Sequence, residues 1–207
     1  MPSSLPVSRS ERAALADLLE QLGPDRSTCC EGWTTEDLAA HLVVRDRRPD
    51  TGPGLVLGGP FGRWTERVRQ GARQRSFGDL VAAVRSGPPR WAPTAWPAVD
   101  RLVNTAELVI HHEDVRRAQP DWAPRELPRS VQDQLWRAVP VLGRGRAAPH
   151  TADGLMVRRS DVPDGAPGSE RRLRNGEPTT TDTGAPLEVL LWLSGRPVIA
   201  CVDLTVE

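Results

Sequence analysis

Apolar residues recur at helical spacing through most of the first 145 residues. One apolar stripe over 8–22 predicts a helix, which Gly23-Pro24 would end. A second helix is predicted after Thr34, because this residue suits an N-cap and the acidic Glu36 and Asp37 would then lie in the first turn. Further helices are predicted at 61–73, 78–86, 99–118 and 130–139, the last of them ended by Pro140. Two stretches rich in Pro and Gly, 49–60 and 87–98, predict loops at the mouth of a pocket.

The pattern changes after residue 150. GLMVRRS, RRLRN and PTTTDT predict short strands, PLEVLLWLSG predicts a helix that begins at Pro and ends at Gly, and PVIACVDLTV predicts a closing strand. The fold class predicted is therefore α+β. A helical bundle is expected over 1–146 and a small α+β domain over 147–207.

Composition narrows the classes of function. The 207 residues carry 27 basic and 27 acidic side chains, so no global field draws the chain to nucleic acid or to anionic lipid. The N-terminus does not resemble a signal peptide, and no apolar run approaches the roughly 20 residues of a spanning helix. An odd number of cysteines, with Cys29 and Cys30 adjacent, is a poor disulfide framework. We expect a cytoplasmic protein.

Two of the four histidines lie together in NTAELVIHHEDVRRA, residues 104–118. Glu107 and His111 are four residues apart and so share a helix face, at the edge of an apolar stripe. A carboxylate there costs free energy unless it is paired or binds a cation. A Glu/His pair one turn apart supplies two metal ligands from one rigid helix.

A third ligand is expected from the second helix. His41 lies between Ala40 and Leu42 on the face directed to the core. His150 lies in the Ala/Pro-rich segment between the two predicted domains, which is a poor place for a rigid ligand. His41, Glu107 and His111 are therefore predicted to form one His2Glu site, with a position open to water or substrate, as in catalytic zinc sites. Each histidine taken alone also fits a buried or surface residue without a ligand role.

The other charged side chains of 104–118 are given structural roles. His112 points about 100° away from His111 on the helix and is expected to make a structural hydrogen bond. Asp114 is three residues after His111, from where it could orient that ring. A solvated face is predicted for Glu113, Arg116 and Arg117.

Several familiar motifs are excluded. HHEDVR is not H-E-x-x-H, because Arg116 occupies the last position. The chain has no Walker loop, no G-x-G-x-x-G fingerprint and no marked nucleophile elbow.

EGWTTEDLAAHL and NTAELVIHHEDVRRA resemble the two metal motifs of DinB-like helical bundles, and specifically those of the mycothiol-dependent maleylpyruvate isomerase branch. EVLLWLSGRPVIACVDL is similar to the small C-terminal domain of that branch. The resemblance implies an up-down four-helix bundle and carries the metal ligands onto His41, Glu107 and His111. It also implies a thiol-dependent isomerase or transferase, in which zinc binds mycothiol or bacillithiol as a thiolate.

The expected cofactor is Zn2+, with Fe2+, Ni2+ and Mn2+ as alternatives, and mycothiol is the expected cosubstrate. Arg45 and Arg101 are candidates for binding a carboxylated substrate or the thiol. The expected partners are small molecules, with neither nucleic acid nor membrane, and the chain is expected as a monomer or homodimer.

Three alternatives remain open. Two histidines and one carboxylate also suit a non-haem iron oxygenase. A non-catalytic metal- or ligand-binding module would have a closed shell, with His112 or Asp114 as fourth ligand. An interaction protein would expose an apolar patch over 186–200.

Overall fold

The computed structural model describes residues 6–51, 59–145 and 153–207. Helices and a four-stranded mixed sheet confirm the predicted α+β class. The chain divides into two compact units, Met1–Trp122 and Ala123–Glu207. The predicted domain boundary between 146 and 147 lies outside the described residues, and the helix that precedes it belongs to the second unit.

The first unit is helical. Its helices are α1 (Val7–Leu22), α2 (Thr35–Arg47), α3 (Gly59–Ala72), α4 (Phe77–Ser86) and α5 (Thr105–Arg116). Helix α1 packs against α4 and α5, and α2 packs against α3 and α4. Leucines from four of these helices form the buried core: Leu15, Leu19, Leu38, Leu42, Leu80 and Leu108. Their burial, at roughly 2 kcal/mol for each side chain, fixes the relative positions of α2 and α5.

The N-terminus of α2 is capped as predicted. The Thr34 hydroxyl accepts a hydrogen bond from the Asp37 backbone N–H, and the Asp37 carboxylate accepts one from the Thr34 backbone N–H. Such a cap contributes about 1 kcal/mol to stability. Arg69 of α3 donates a further hydrogen bond to Asp37, which ties α3 to the start of α2.

Helix α5 is entered through irregular helical turns instead of the continuous helix predicted from residue 99. Pro97–Val99 form one helical turn and Asp100–Asn104 form a π-helical turn. The buried Asn104 amide donates hydrogen bonds to the Thr94 carbonyl and the Asp100 carboxylate. These bonds hold the wider turn directly before the segment that carries Glu107.

The second unit combines two helices with the sheet. Its elements are α6 (Arg129–Gly145), β1 (Gly154–Arg159), β2 (Glu170–Arg174), β3 (Thr179–Gly184), α7 (Pro186–Leu193) and β4 (Asp203–Val206). The strand order is β2-β1-β3-β4, in which β1 and β3 are parallel and the outer pairs are antiparallel. Helix α7 packs against α6 and is buried from Pro186 to Leu193. The exposed apolar patch that an interaction protein would need over 186–200 is therefore not found on this helix.

Two predictions for this unit were wrong in extent. Helix α6 continues through Pro140 to Gly145. The buried Leu135, Trp136 and Val139 stabilise it by more than the roughly 3 kcal/mol that an internal proline costs. The closing strand is confined to Asp203–Val206. Residues 197–199 form a turn and 200–202 are irregular, with the Cys201 N–H donating a hydrogen bond to the Glu188 carboxylate instead of to a neighbouring strand.

Within the described part of the chain, no helix is both long enough and apolar enough to cross a bilayer.

Candidate metal centre

His41 of α2 and Glu107 and His111 of α5 lie together in the first unit. One ligand atom from each of the three lies within 4.8 Å of the other two. Nε2 of His111 is 3.7 Å from a carboxylate oxygen of Glu107. The rings of His41 and His111 are 5.1 Å apart between centroids, and their planes are inclined at 68°. The spacing of Glu107 and His111 therefore places both on one helix face, and the core packing brings His41 to them.

The donor set fits a divalent transition metal. Tetrahedral zinc with bonds of about 2.0–2.1 Å places its ligand atoms roughly 3.4 Å apart, so small rotations would close the three donors onto one ion. His111 is buried, whereas His41 and Glu107 are half-buried. His41 and Glu107 are therefore partly accessible to solvent, whereas His111 is not.

The protonation states of the ligands follow from their surroundings. Burial, reinforced by the charge of His111, lowers the pKa of His41 to about 3, so this imidazole is neutral and has a lone pair. Burial raises the pKa of Glu107, but the hydrogen bond to His111 and the charge of Arg45 outweigh it and hold that pKa at about 2. Glu107 is therefore a carboxylate.

His111 lies between anionic groups. Burial lowers its pKa, but hydrogen bonds to Asp114, Cys30 and Glu107 raise it well above the usual value. A proton is thus attracted to both ring nitrogens. A divalent cation at Nε2 would replace the proton that faces Glu107, so the anionic surroundings favour cation binding as well as protonation.

Asp114 holds the other side of the His111 ring. Its carboxylate is fully buried and lies 2.9 Å from Nδ1 of His111. A carboxylate at this nitrogen keeps the proton on Nδ1, so the proton that a cation replaces is the one on Nε2, which faces Glu107. Asp114 is therefore positioned to orient a ligand histidine, in agreement with its spacing from His111.

His112 lies apart from these donors. Its Nδ1 is 2.8 Å from a carboxylate oxygen of Glu11 on helix α1, and both side chains are buried. This contact fits the structural role predicted for His112. It also gives no support to His112 as a fourth metal ligand.

The predicted solvated face is wrong for two of its three residues. The side chains of Glu113 and Arg117 are fully buried and are joined by a hydrogen bond of 2.6 Å, while Arg116 is partly exposed. Helix α1 packs against α5, and the segment before α2 bonds to α5 through the Cys29 N–H and the Asp114 carbonyl. Because Trp122 also covers the Arg117 guanidinium, the charged pair is excluded from solvent.

Of the two arginines proposed for substrate binding, only Arg45 borders the three donors. Its Nε is 3.6 Å from a Glu107 oxygen, and its guanidinium donates a hydrogen bond of 2.9 Å to the Asn104 side chain. Its side chain is 9% exposed. Arg101 is exposed on the π-helical turn.

Three residues of this region were not predicted as part of the site. The Trp33 ring packs on His41 at 5.2 Å between centroids, and the Arg69 guanidinium lies over Trp33 at 4.8 Å. Cys30 Sγ is 3.2 Å from the Asp114 carboxylate. These contacts were not predicted because they depend on how the turn before α2 packs against α2, α3 and α5 in the folded chain.

No protein-family model, curated protein or solved structure matches the chain.

Proposed function

We propose that the chain is a DinB-like protein that binds one divalent metal ion, preferably zinc, through His41, Glu107 and His111. We further propose that it acts as a transferase or isomerase dependent on a low-molecular-weight thiol such as mycothiol. The up-down four-helix bundle predicted over 1–146 is part of this proposal. The observation that carries it is the convergence of three donors of zinc-binding type from two helices, within 4.8 Å of one another and with His41 and Glu107 only half-buried.

The charge of the donor set favours an anionic partner. A divalent ion bound by two neutral imidazoles and one carboxylate has a net charge of +1. The guanidinium of Arg45 beside Glu107 and the carboxylate of Asp114 beside His111 carry opposite charges, so the excess of one positive charge remains. In a half-buried site this excess is stabilised by a negatively charged ligand, since screening by water is reduced. A thiolate meets that requirement.

A bound zinc ion would lower the pKa of a thiol ligand, so that a nucleophilic thiolate exists at neutral pH. Asp114 keeps the Nδ1 proton of His111 in place and so presents Nε2 as a ligand. Arg45 fixes the Glu107 carboxylate and offers a cation to a carboxylated substrate. Trp33 covers one face of His41 and limits the access of water there.

The proposed reaction is addition of the thiolate sulfur to one carbon of a conjugated, electron-poor double bond, which forms a new carbon–sulfur bond and converts the double bond into a single bond as its π electrons move into the conjugated acceptor. In an isomerase the resulting single bond rotates, the carbon–sulfur bond breaks, and the thiolate is released unchanged. In a transferase the adduct takes up a proton and is itself the product. Both reactions need the same donor set and the same open position.

Thiol binding can be tested with cobalt in place of zinc, in a Cys30→Ser background that removes the nearest protein thiol. Added mycothiol should produce a thiolate-to-cobalt absorption band, because the thiolate occupies the open position. The band should be absent from the matched protein that also carries His41→Ala. Loaded cobalt with no band on addition of thiol would instead favour a metal-binding module without thiol chemistry.

The same set of ligands is also compatible with iron. Two histidines and one carboxylate with open positions are typical of non-haem Fe2+ oxygenases, and Ni2+ or Mn2+ also bind such donors. Iron in the purified protein would make the oxygenase the better proposal. Zinc would favour the thiol-dependent reaction.

A further inference from the structure

A second group of metal-binding side chains adjoins the first. Sγ of Cys30, a carboxylate oxygen of Asp114 and a ring nitrogen of His111 lie within 4.8 Å of one another. The two short contacts in the group both involve Asp114, at 3.2 Å from Sγ and 2.9 Å from Nδ1. Because Nε2 of His111 faces Glu107, the two groups use opposite nitrogens of one ring.

We propose that Cys30, Asp114 and Nδ1 of His111 form a second site, here called the sulfur site, which binds a thiophilic divalent ion such as Cd2+. Thiolate sulfur selects soft ions, and imidazole and carboxylate complete a mixed donor set that such ions accept. On binding, the Cys30 thiol loses its proton to solvent. The thiolate and the carboxylate then neutralise the two positive charges of the ion.

Charge neutrality of the bound ion with its ligands matters because the sulfur site is more enclosed than the group of His41, Glu107 and His111. Asp114 is fully buried and His111 is 7% exposed, while Cys30 is half-buried and provides the approach from solvent. An ion of net charge zero with its ligands avoids most of the cost of burying charge. The predicted zinc centre has an excess of positive charge and calls for an external anion, whereas the sulfur site does not.

The backbone already holds Cys30 beside α5. The Cys29 N–H donates to the Asp114 carbonyl at 2.8 Å, and the Cys30 N–H donates to the Thr28 hydroxyl at 3.2 Å. The Cys30 carbonyl also accepts from the Trp33 N–H at 3.0 Å. Little conformational entropy is therefore lost when Sγ becomes a ligand, which favours affinity.

Sharing of the His111 ring makes the two sites exclusive. A neutral imidazole has a lone pair on one nitrogen and a proton on the other. An ion at Nδ1 places the proton on Nε2, on the side of Glu107. Nε2 then has no lone pair to donate to an ion in the first group. A thiophilic ion should therefore displace zinc from the centre that we propose for function, without contacting His41 or Glu107.

The sulfur site can be tested by Cd2+ titration of the purified chain, in a Cys201→Ser background that removes the exposed cysteine of the second unit. We expect a thiolate-to-cadmium ultraviolet band that saturates at one ion per chain. Cys30→Ser should abolish the band, and Cys29→Ser, the matched control at the adjacent cysteine, should retain it. A band that survives Cys30→Ser, or that Cys29→Ser removes equally, would overturn the proposal.

Two further measurements separate the sulfur site from the proposed zinc centre. His41→Ala should keep the cadmium band, and loss of the band in this variant would mean that all donors form a single site. After saturation with zinc and cadmium together and desalting, elemental analysis should give a total of one ion per chain. Two ions per chain would overturn the shared ring. Retention of zinc by His41→Ala would instead count against the zinc centre alone, because the cadmium band does not depend on it.

Discussion

His111→Ala should abolish the stabilisation of the protein by zinc. An ion that binds only the folded chain stabilises it by about 2.7 kcal/mol when present at about 100 times its dissociation constant. For a protein of this size that free energy raises the melting temperature by roughly 5–10 °C. His111 supplies the only ring that contacts both Glu107 and Asp114 among the described residues, so its loss removes a ligand and the group that aligns the other donors. Thermal melts with zinc and with a chelator measure the difference.

The matched control is His112→Ala. This variant removes a neighbouring buried histidine whose ring contacts Glu11 instead of the metal donors. It should melt at a lower temperature than the wild type in both conditions, because a buried hydrogen bond is lost, but the increment due to zinc should remain. The increment itself, and not the absolute melting temperature, is therefore the informative quantity. Equal increments in His111→Ala and wild type would show that His111 is not a ligand.

Asp182→Asn should make the stability of the second unit much less dependent on pH. Asp182 of β3 is fully buried and its cross-strand neighbours Val157 and Leu204 are apolar. Among the residues that the structure describes, neither of its carboxylate oxygens has a hydrogen-bond partner. Burial raises the pKa of Asp182 to about 7 from its ordinary value of 3.8. The folded chain therefore binds this proton more tightly than the unfolded chain does.

The sign of the effect follows from that difference. Below pH 3.8 the carboxyl is protonated in both states and Asp182 carries no penalty. As the pH rises from 3.8 to about 7, the unfolded chain loses the proton first, and the free energy of unfolding decreases by on the order of 4 kcal/mol. Above about pH 7 the full loss persists. Asp182→Asn has no charge to gain, so its advantage over wild type should grow over this interval and then stay constant.

Hydrogen exchange of the β1 and β3 amides at a series of pH values isolates this effect, because those strands lie in the second unit. Thr183→Val is a suitable control, since it changes a neighbouring strand residue without removing an ionisable group. A difference between Asp182→Asn and wild type that does not vary with pH would contradict the account. The isosteric amide keeps the packing, so loss of fold is not expected.

Local patterns predicted most of the helices because each has an apolar stripe and a recognisable start or end. Gly23 ends α1 because glycine has the backbone freedom that this position needs. The side chains of Thr34 and Asp37 form the cap of α2. These signals act within one turn of helix and can be read without knowledge of the fold. The same reasoning failed at Pro140, where packing of α6 against α7 outweighs the local cost of proline.

The contacts of the site between residues close in sequence were predictable, and the contacts between distant residues were not. Glu107 and His111 share a helix face by spacing alone, and His41 was placed toward them by the apolar pattern of α2. Cys30 is 81 positions from His111 in sequence, and its approach depends on a turn that bonds to α5. The spacing of apolar residues along the sequence cannot predict such a contact.

The charged residues of α5 show a second limit of local sequence patterns, which do not reveal whether a side chain is buried. Glu113 and Arg117 have the i, i+4 spacing of a surface ion pair, and that spacing is indeed used, but in the interior. Whether the pair lies in water or in protein is decided by α1 and by Trp122, which cover α5 in the folded chain. The spacing is thus compatible with the pair that forms, whereas the predicted exposure to solvent was wrong.

The central claim is that His41, Glu107 and His111 hold one metal ion, and elemental analysis tests it most directly. Wild type and His41→Ala would be purified side by side without added metal. The account predicts about one zinc per wild-type chain and a large loss of zinc in the variant, with both proteins folded by circular dichroism. Equal metal content in the two proteins, or no metal in either, would contradict it.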